Sequence, residues 1–250
     1  MFAGDFRFDA PVAPGGYAWW YLDALSDDGR SALTIITFIG SVFSPYYAAA
    51  RRRRGPEHAD PLDHCSFNVA LYGAGGHRWA MTERGRAAVT AGTEALHIGP
   101  SALTITDEGL VFEFDEVTVP IRRRIRGRVT VTAEARTAAP RVLDPRGRHH
   151  WWPVAPHVRV EVDLPLPGRH WSGRGYVDAN RGSEPLEAGF REWHWSRADA
   201  GPDTLITYDL VTADGAQREL ALRIDGAGTV RDLGALPPLR TLEGTVWRVP

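Results

Sequence analysis

Along residues 129–136, Val129, Val131, Ala133 and Ala135 alternate with Thr130, Thr132, Glu134 and Arg136, the period of two expected of a half-buried strand. Val158, Val160, Val162 and Leu164 repeat the pattern. Residues 19–25 and 33–39 enclose Ser26-Asp27-Asp28-Gly29-Arg30, whose Asp-Gly is a strong hairpin signal. Residues 66–72 and 78–82 enclose Gly73-Ala74-Gly75-Gly76 in the same way, and residues 103–106 and 111–114 enclose Asp107-Glu108-Gly109. Helical spacing is confined to residues 44–54 and 186–192. The pattern predicts an all-β protein.

An internal echo divides the strands. Residues 17–38 run from an aromatic cluster through an Asp-Gly turn to an apolar strand, and residues 190–210 run through Trp193 and Trp195, Ala200-Gly201-Pro202-Asp203, then a second apolar strand. Two related barrels are expected, with the seam in the Pro, Arg and Gly-rich stretch 139–148. This gives an N-terminal domain of residues 1–140 and a C-terminal domain of residues 141–250. Closing antiparallel strands into a barrel removes exposed edges, and about eight strands leave room for one ligand. An apolar ligand is the first to consider.

Composition narrows the classes. A chain of 250 residues with 43% apolar and 24% charged content excludes extended disorder. The 29 basic residues, all Arg, stand against 31 acidic ones for a net charge of -2, so nucleic acid is not an expected partner. The uniform choice of Arg fits codon bias in a GC-rich genome. One cysteine, Cys65, excludes an intrachain disulfide framework and points to a reducing cytoplasm. The first sixteen residues carry Asp5, Arg7 and Asp9 and lack the apolar core of a secretory signal. Residues 32–43, interrupted by Thr34, Thr37 and Ser41, are too short to span a bilayer. Two basic runs remain, Arg51 to Arg54 and Arg122 to Arg124 with Arg126 and Arg128. A solvated loop and an exposed strand end account for them. The alternative is attraction to anionic lipid, about 1 kcal/mol per basic residue near the surface.

Several motifs fail on inspection. Gly173-Arg174-Gly175-Tyr176-Val177-Asp178 opens like a dinucleotide fingerprint, but Asp replaces the third Gly and no helix pattern follows. Residues 178–182 resemble a calcium loop, yet the Gly falls one place early and position twelve is Gly189. No G-x-S-x-G elbow occurs, and Cys65 beside His64 reads as a buried small residue. Nine histidines include the pair His149-His150 but no ligand spacing, so no metal is expected.

The segment from Gly15 through Tyr17-Ala18-Trp19-Trp20-Tyr21-Leu22-Asp23 to Gly29, followed by Phe43-Ser44-Pro45-Tyr46-Tyr47, resembles the N-terminal signature of the acyclic carotenoid 1,2-hydratases, also called hydroxyneurosporene synthases. The likeness continues through Asp60-Pro61-Leu62-Asp63-His64-Cys65, Trp79-Ala80-Met81-Thr82-Glu83-Arg84, and Trp171-Ser172-Gly173-Arg174-Gly175-Tyr176-Val177-Asp178-Ala179-Asn180-Arg181-Gly182 to Trp193-His194-Trp195-Ser196. It implies two lipocalin-like (calycin) β-barrels in tandem, a cofactor-independent addition of water to the terminal C1=C2 bond of an acyclic carotenoid such as lycopene or neurosporene, and a place in carotenoid biosynthesis. It assigns the acid to the Asp of G-Y-x-D, here Asp178, with Tyr176 and an upstream H-x-W element assisting. That element is doubled here as His149-His150-Trp151-Trp152, and His149 with Trp151 is the register chosen.

The residues support this chemistry. Hydrating an unactivated trisubstituted alkene requires protonation of one carbon, leaving a tertiary cation that water captures. A carboxyl group in an aromatic pocket stays protonated near neutrality through desolvation. Asp178, two residues from Tyr176 on an alternating strand, shares its face. A turn-capping carboxylate is the alternative for Asp178, with Asp23, Asp63 or Glu83 then to be considered as donor. Trp19, Trp20, Tyr21, Trp152, Trp193 and Trp195 are the expected substrate-lining residues, with core packing as their alternative. A noncatalytic carrier of a lipid or polyene is the rival function. An apolar substrate delivered from a bilayer implies peripheral contact on the cytoplasmic side of the inner, photosynthetic membrane through the Arg51 to Arg54 loop.

Overall fold

The computed structural model describes residues 6–73 and 75–238. Residues 1–5 of the stretch read for a signal, and Ala74 of the Gly-rich turn, lie outside the described residues. The elements are β1 (Tyr17–Ser26), β2 (Ser31–Ile39), α1 (Pro45–Arg54), β3 (Cys65–Gly73), β4 (Arg78–Arg84), β5 (Val89–Ala91), β6 (Ala95–Ile98), β7 (Ser101–Ile105) and β8 (Leu110–Val117). They continue as β9 (Arg124–Ala135), β10 (Arg141–Val142), β11 (His149–Leu166), β12 (Arg169–Gly182), α2 (Leu186–Gly189), β13 (Phe190–Ala200), β14 (Asp203–Thr212), β15 (Gln217–Ile224) and β16 (Val230–Asp232). The all-β expectation holds, and the three hairpins fall where the turn signals put them.

One antiparallel sheet of twelve strands runs β4-β3-β2-β1-β12-β11-β9-β8-β7-β6-β5, with β10 paired to β11. It curls until β4 meets β8: Arg84 pairs with Glu116 at 2.8 Å, and the Val119 amide donates to the Trp79 carbonyl at 2.9 Å. The result is a nearly closed barrel. Strands β13-β14-β15-β16 form a second, four-stranded sheet.

Alternation gives each barrel strand two faces. Trp20 and Leu22 of β1, Val177 of β12, and Trp152 and Val154 of β11 point into the barrel core. The opposite faces carry Tyr21, Tyr176 and Trp151, which pack against Ile206, Tyr208 and Leu210 of β14 and Trp193 and Trp195 of β13. The second sheet therefore covers the outer face of β1, β12 and β11, and the two buried faces make a seam.

Three expectations differ from the structure. The barrel draws strands from both sides of residue 140: β11 and β12 pair with β9 and β1, and the sheet changes only between Gly182 and Phe190. The stretch 139–148 holds just β10 and the link into β11, because polar and Pro residues there mark a connection without saying which sheet resumes after it. The Arg51 to Arg54 run is the last turn of α1 and not a loop. Ser44 caps that helix by accepting from the Tyr47 amide, Pro45 starts it, Gly55 at φ 83° stops it, and the four Arg complement the helix dipole at its C-terminus. Residues 186–192 give only the short α2 before β13 begins.

Candidate active site

Asp178 lies in the seam, 4% exposed, on the same face of β12 as Tyr176 and Asn180. Trp151 Nε1 donates to its Oδ2 at 3.0 Å, and the Tyr176 hydroxyl donates to the same oxygen at 3.1 Å. Asn180 Nδ2 donates to Oδ1 at 3.2 Å. Burial pushes the carboxyl up to about 7, and the Trp151, Tyr176 and Asn180 bonds hold it from rising further. The Tyr176 hydroxyl, itself raised by burial, stays protonated and is a fixed donor.

A second carboxylate shares the seam. Asp23, across from Tyr176 in the β1–β12 register, pairs with Arg197 of β13 at 2.7 Å. Burial raises its pKa while Arg197 and a hydrogen bond from Tyr21 oppose the rise. The Arg197 guanidinium also stands over the Tyr176 ring at 5.6 Å, tying the two sheets together.

His149 lies two residues before Trp151 on the same strand face, but its partners are Tyr17 and Glu184. The Tyr17 hydroxyl lies 2.9 Å from Nδ1 and Glu184 3.3 Å from Nε2. Burial lowers its pKa, which favours the neutral ring. The arrangement then has Nε2–H donating to the carboxylate and Nδ1 accepting from the phenol. Two glycines make room. A Cβ at Gly182 would sit 2.5 Å from Tyr17 Cε1, and one at Gly189 would sit 2.2 Å from His149 Nε2.

The doubled motif thus splits across the sheet. His149 and Trp151 face the seam with Asp178, whereas Trp152 packs inside the barrel against Phe6. Trp20 likewise faces inward, against Phe8. Trp19, Tyr21, Trp193 and Trp195 are in the seam. Tyr21 and Trp195 have ring centroids 5.7 Å apart, Trp195 and Tyr176 5.8 Å, and Trp19 and Trp193 6.3 Å. Tyr208 adds an edge contact to Trp151 at 4.7 Å. Sequence reasoning missed Asn180, Tyr17, Glu184, Arg197 and Tyr208. Alternation outward from Asp178 would have found Asn180; the others depend on which sheet covers which. Of the other carboxylates considered as donor, Glu83 is bound to His64 at 2.7 Å on β4, away from the seam.

A hollow of about 560 Å³ opens at the end of the barrel. Phe6, Trp20, Trp152 and Arg181 are among its walls, and it reaches the seam at Tyr17, Asn180 and Gly182. Asp178 is not among its lining residues. No group of three or more His, Cys, Asp or Glu suited to a metal occurs among the described residues.

A family model described as carotenoid hydratase CrtC matches residues 35–250. The acyclic carotenoid 1,2-hydratase of Thiocapsa roseopersicina is 52% identical over 243 residues, covering 97% of this chain and 59% of its own length. The same-named protein of Rubrivivax gelatinosus is 49% identical over 244 residues, covering 97% and 60%. The chain therefore spans about three-fifths of the length of these curated relatives. Among solved structures, an AttH protein from Nitrosomonas europaea superposes with a TM-score of 0.58 at 15% identity, over 93% of this chain and 71% of its own. At that identity the likeness speaks to the fold alone.

Proposed function

The chain belongs to the carotenoid hydratase CrtC family, and from that premise we propose that it adds water across the terminal C1=C2 bond of an acyclic carotenoid, with Asp178 as the proton donor. The observation that carries the proposal is a buried carboxyl group set among aromatic rings and fixed by two donors on a single oxygen. Trp151 and Tyr176 both donate to Oδ2 and only Asn180 donates to Oδ1, so Oδ1 is the less engaged oxygen and the one that delivers the acid proton. Transfer of that proton to C2 leaves a tertiary cation at C1. The rings of Trp151, Tyr176, Tyr21 and Trp195 surround the site, and a desolvated indole face stabilises a cation by roughly 2 kcal/mol or more. Water then adds at C1 to give a tertiary alcohol. The net reaction is redox-neutral, so acid, cation shelter and water suffice. Tyr176 orients the acid directly; His149 acts at one remove, holding Tyr17 at the start of β11.

Incubating the purified chain with lycopene or neurosporene in detergent should give a product heavier by one water. The hollow at the barrel end supports a second reading, a carrier that binds its ligand in the barrel away from Asp178. Recovery of bound but unchanged carotenoid would favour the carrier.

We also propose peripheral membrane contact through α1. Arg51 is buried, paired with Glu187 at 2.7 Å, and stacked on Tyr47, so it contributes nothing to such a surface. Arg52, Arg53 and Arg54 are exposed, as are Phe43 and Tyr46 at 59% and 71%. Basic heads beside exposed rings suit an anionic interface.

A further inference from the structure

Asn180 touches the acid on one side and the hollow on the other. It is 4% exposed, and its Nδ2 is committed to Asp178 Oδ1 at 3.2 Å. Once Asp178 has given up its proton, the state in which the cation is captured, that bond fixes the amide, since turning it over would then set oxygen against oxygen. Its Oδ1 is buried and has no hydrogen-bond partner among the described residues. The residue lies between two indoles in register, opposite Trp19 of β1 and opposite Trp151 of β11. It also forms part of the wall of the 560 Å³ hollow, which Asp178 does not reach. A buried carbonyl oxygen without a partner is costly, and a polar recess beside a space of that size suits a water molecule.

Resting on the hydratase reading, we propose that Asn180 Oδ1 holds the water that captures the cation, beside the carbon next to the one protonated from Asp178 Oδ1. The acid proton and the alkene π pair form the C2–H bond, leaving C1 cationic and Asp178 ionised. The Asn180-held water donates one hydrogen to Oδ1, and its oxygen lone pair forms the C1–O bond. The other hydrogen passes as a proton to the Asp178 carboxylate. The alcohol leaves, and the acid is restored with one water consumed. Asp178 and Asn180, two residues apart on one strand face, thus supply the two halves of the water molecule to neighbouring carbons.

Removing the water holder should separate protonation from capture. Asn180→Leu keeps the branched shape without the amide, so the cation still forms but returns a proton instead of taking up water. The experiment incubates wild type, Asn180→Leu and Asn180→Ser with lycopene in detergent made up in D₂O. Hydrated product and deuterium in the recovered alkene are both measured. Wild type should give mostly hydrated product. Asn180→Leu should hydrate at least about tenfold more slowly, with a ratio of deuterium exchange to hydration raised by a similar factor; loss of one water-positioning contact has effects of this order. Asn180→Ser, whose hydroxyl can hold a water less well placed, should be intermediate and serves if the Leu variant does not fold. Exchange and hydration falling together would overturn the proposal, leaving Asn180 as a support for the acid, and so would an unchanged ratio. A wild-type protein giving neither deuterated alkene nor alcohol would instead sink the hydratase reading itself.

Discussion

If Asp178 is the proton donor, as proposed, it acts only while its carboxyl is protonated. With its pKa raised from 3.8 to about 7 by burial, turnover should be level below that pH and fall about tenfold per unit above it. A rate that climbs through pH 7–8 would contradict this. The same shift has a sign for stability. The folded-state pKa lies above the ordinary value, so the contribution of Asp178 is fully present below pH 3.8 and is lost as pH rises through about 7. Trp151 offers a second test at this scale. Its N–H bond is the largest influence opposing the raised pKa. Trp151→Phe removes that bond but keeps a weaker π face, so part of the activity should survive while the alkaline fall moves to higher pH. Trp151→Leu should lose more activity at similar folded stability. Equal losses without a pH displacement would make Trp151 a packing residue.

At the scale of elements, the site depends on how closely β12 and the α2 turn approach the start of β11. Gly189→Ala would drive a methyl group to 2.2 Å from His149 Nε2, and the turn and the ring cannot both stay. The variant should lose about 1–3 kcal/mol in denaturant unfolding, the usual cost of overpacking, with His149 displaced from Glu184. An unchanged midpoint would mean that His149 swings away freely. The strands themselves were legible, because alternation at 129–136 and 158–164 and the Asp-Gly turns are local signals. So was the grouping of Tyr176 with Asp178. Covering was not legible. Trp19 and Trp20 are neighbours in sequence and point to opposite sides of the sheet, as do Trp151 and Trp152. Composition cannot tell which of each pair meets the second sheet. The seam that makes Asp178 buried arises from contacts between residues far apart in the chain, such as Asp23 with Arg197.

On the scale of the whole molecule, a nearly closed barrel and a four-stranded sheet enclose Asp178, while α1 and the turn before it offer charge and the rings of Tyr46 and Phe43 to the outside. If α1 meets anionic lipid, replacing Arg52, Arg53 and Arg54 with Gln should reduce co-sedimentation with anionic vesicles, and high salt should do the same to the parent protein. Equal binding to neutral vesicles would remove the electrostatic part. The enclosure bears above all on one carboxyl group, that of Asp178. Asp178→Asn is nearly isosteric and still accepts from Trp151 and Tyr176, but its amide delivers no proton. Turnover of lycopene and carotenoid-induced spectral change should be measured on the same preparations of wild type and variant. Hydration should fall by about 10⁴-fold or more, the upper end of general acid catalysis, with carotenoid binding and the folded state retained. Hydration by Asp178→Asn at near wild-type rate would show that Asp178 is a structural carboxyl group and that the proton comes from elsewhere.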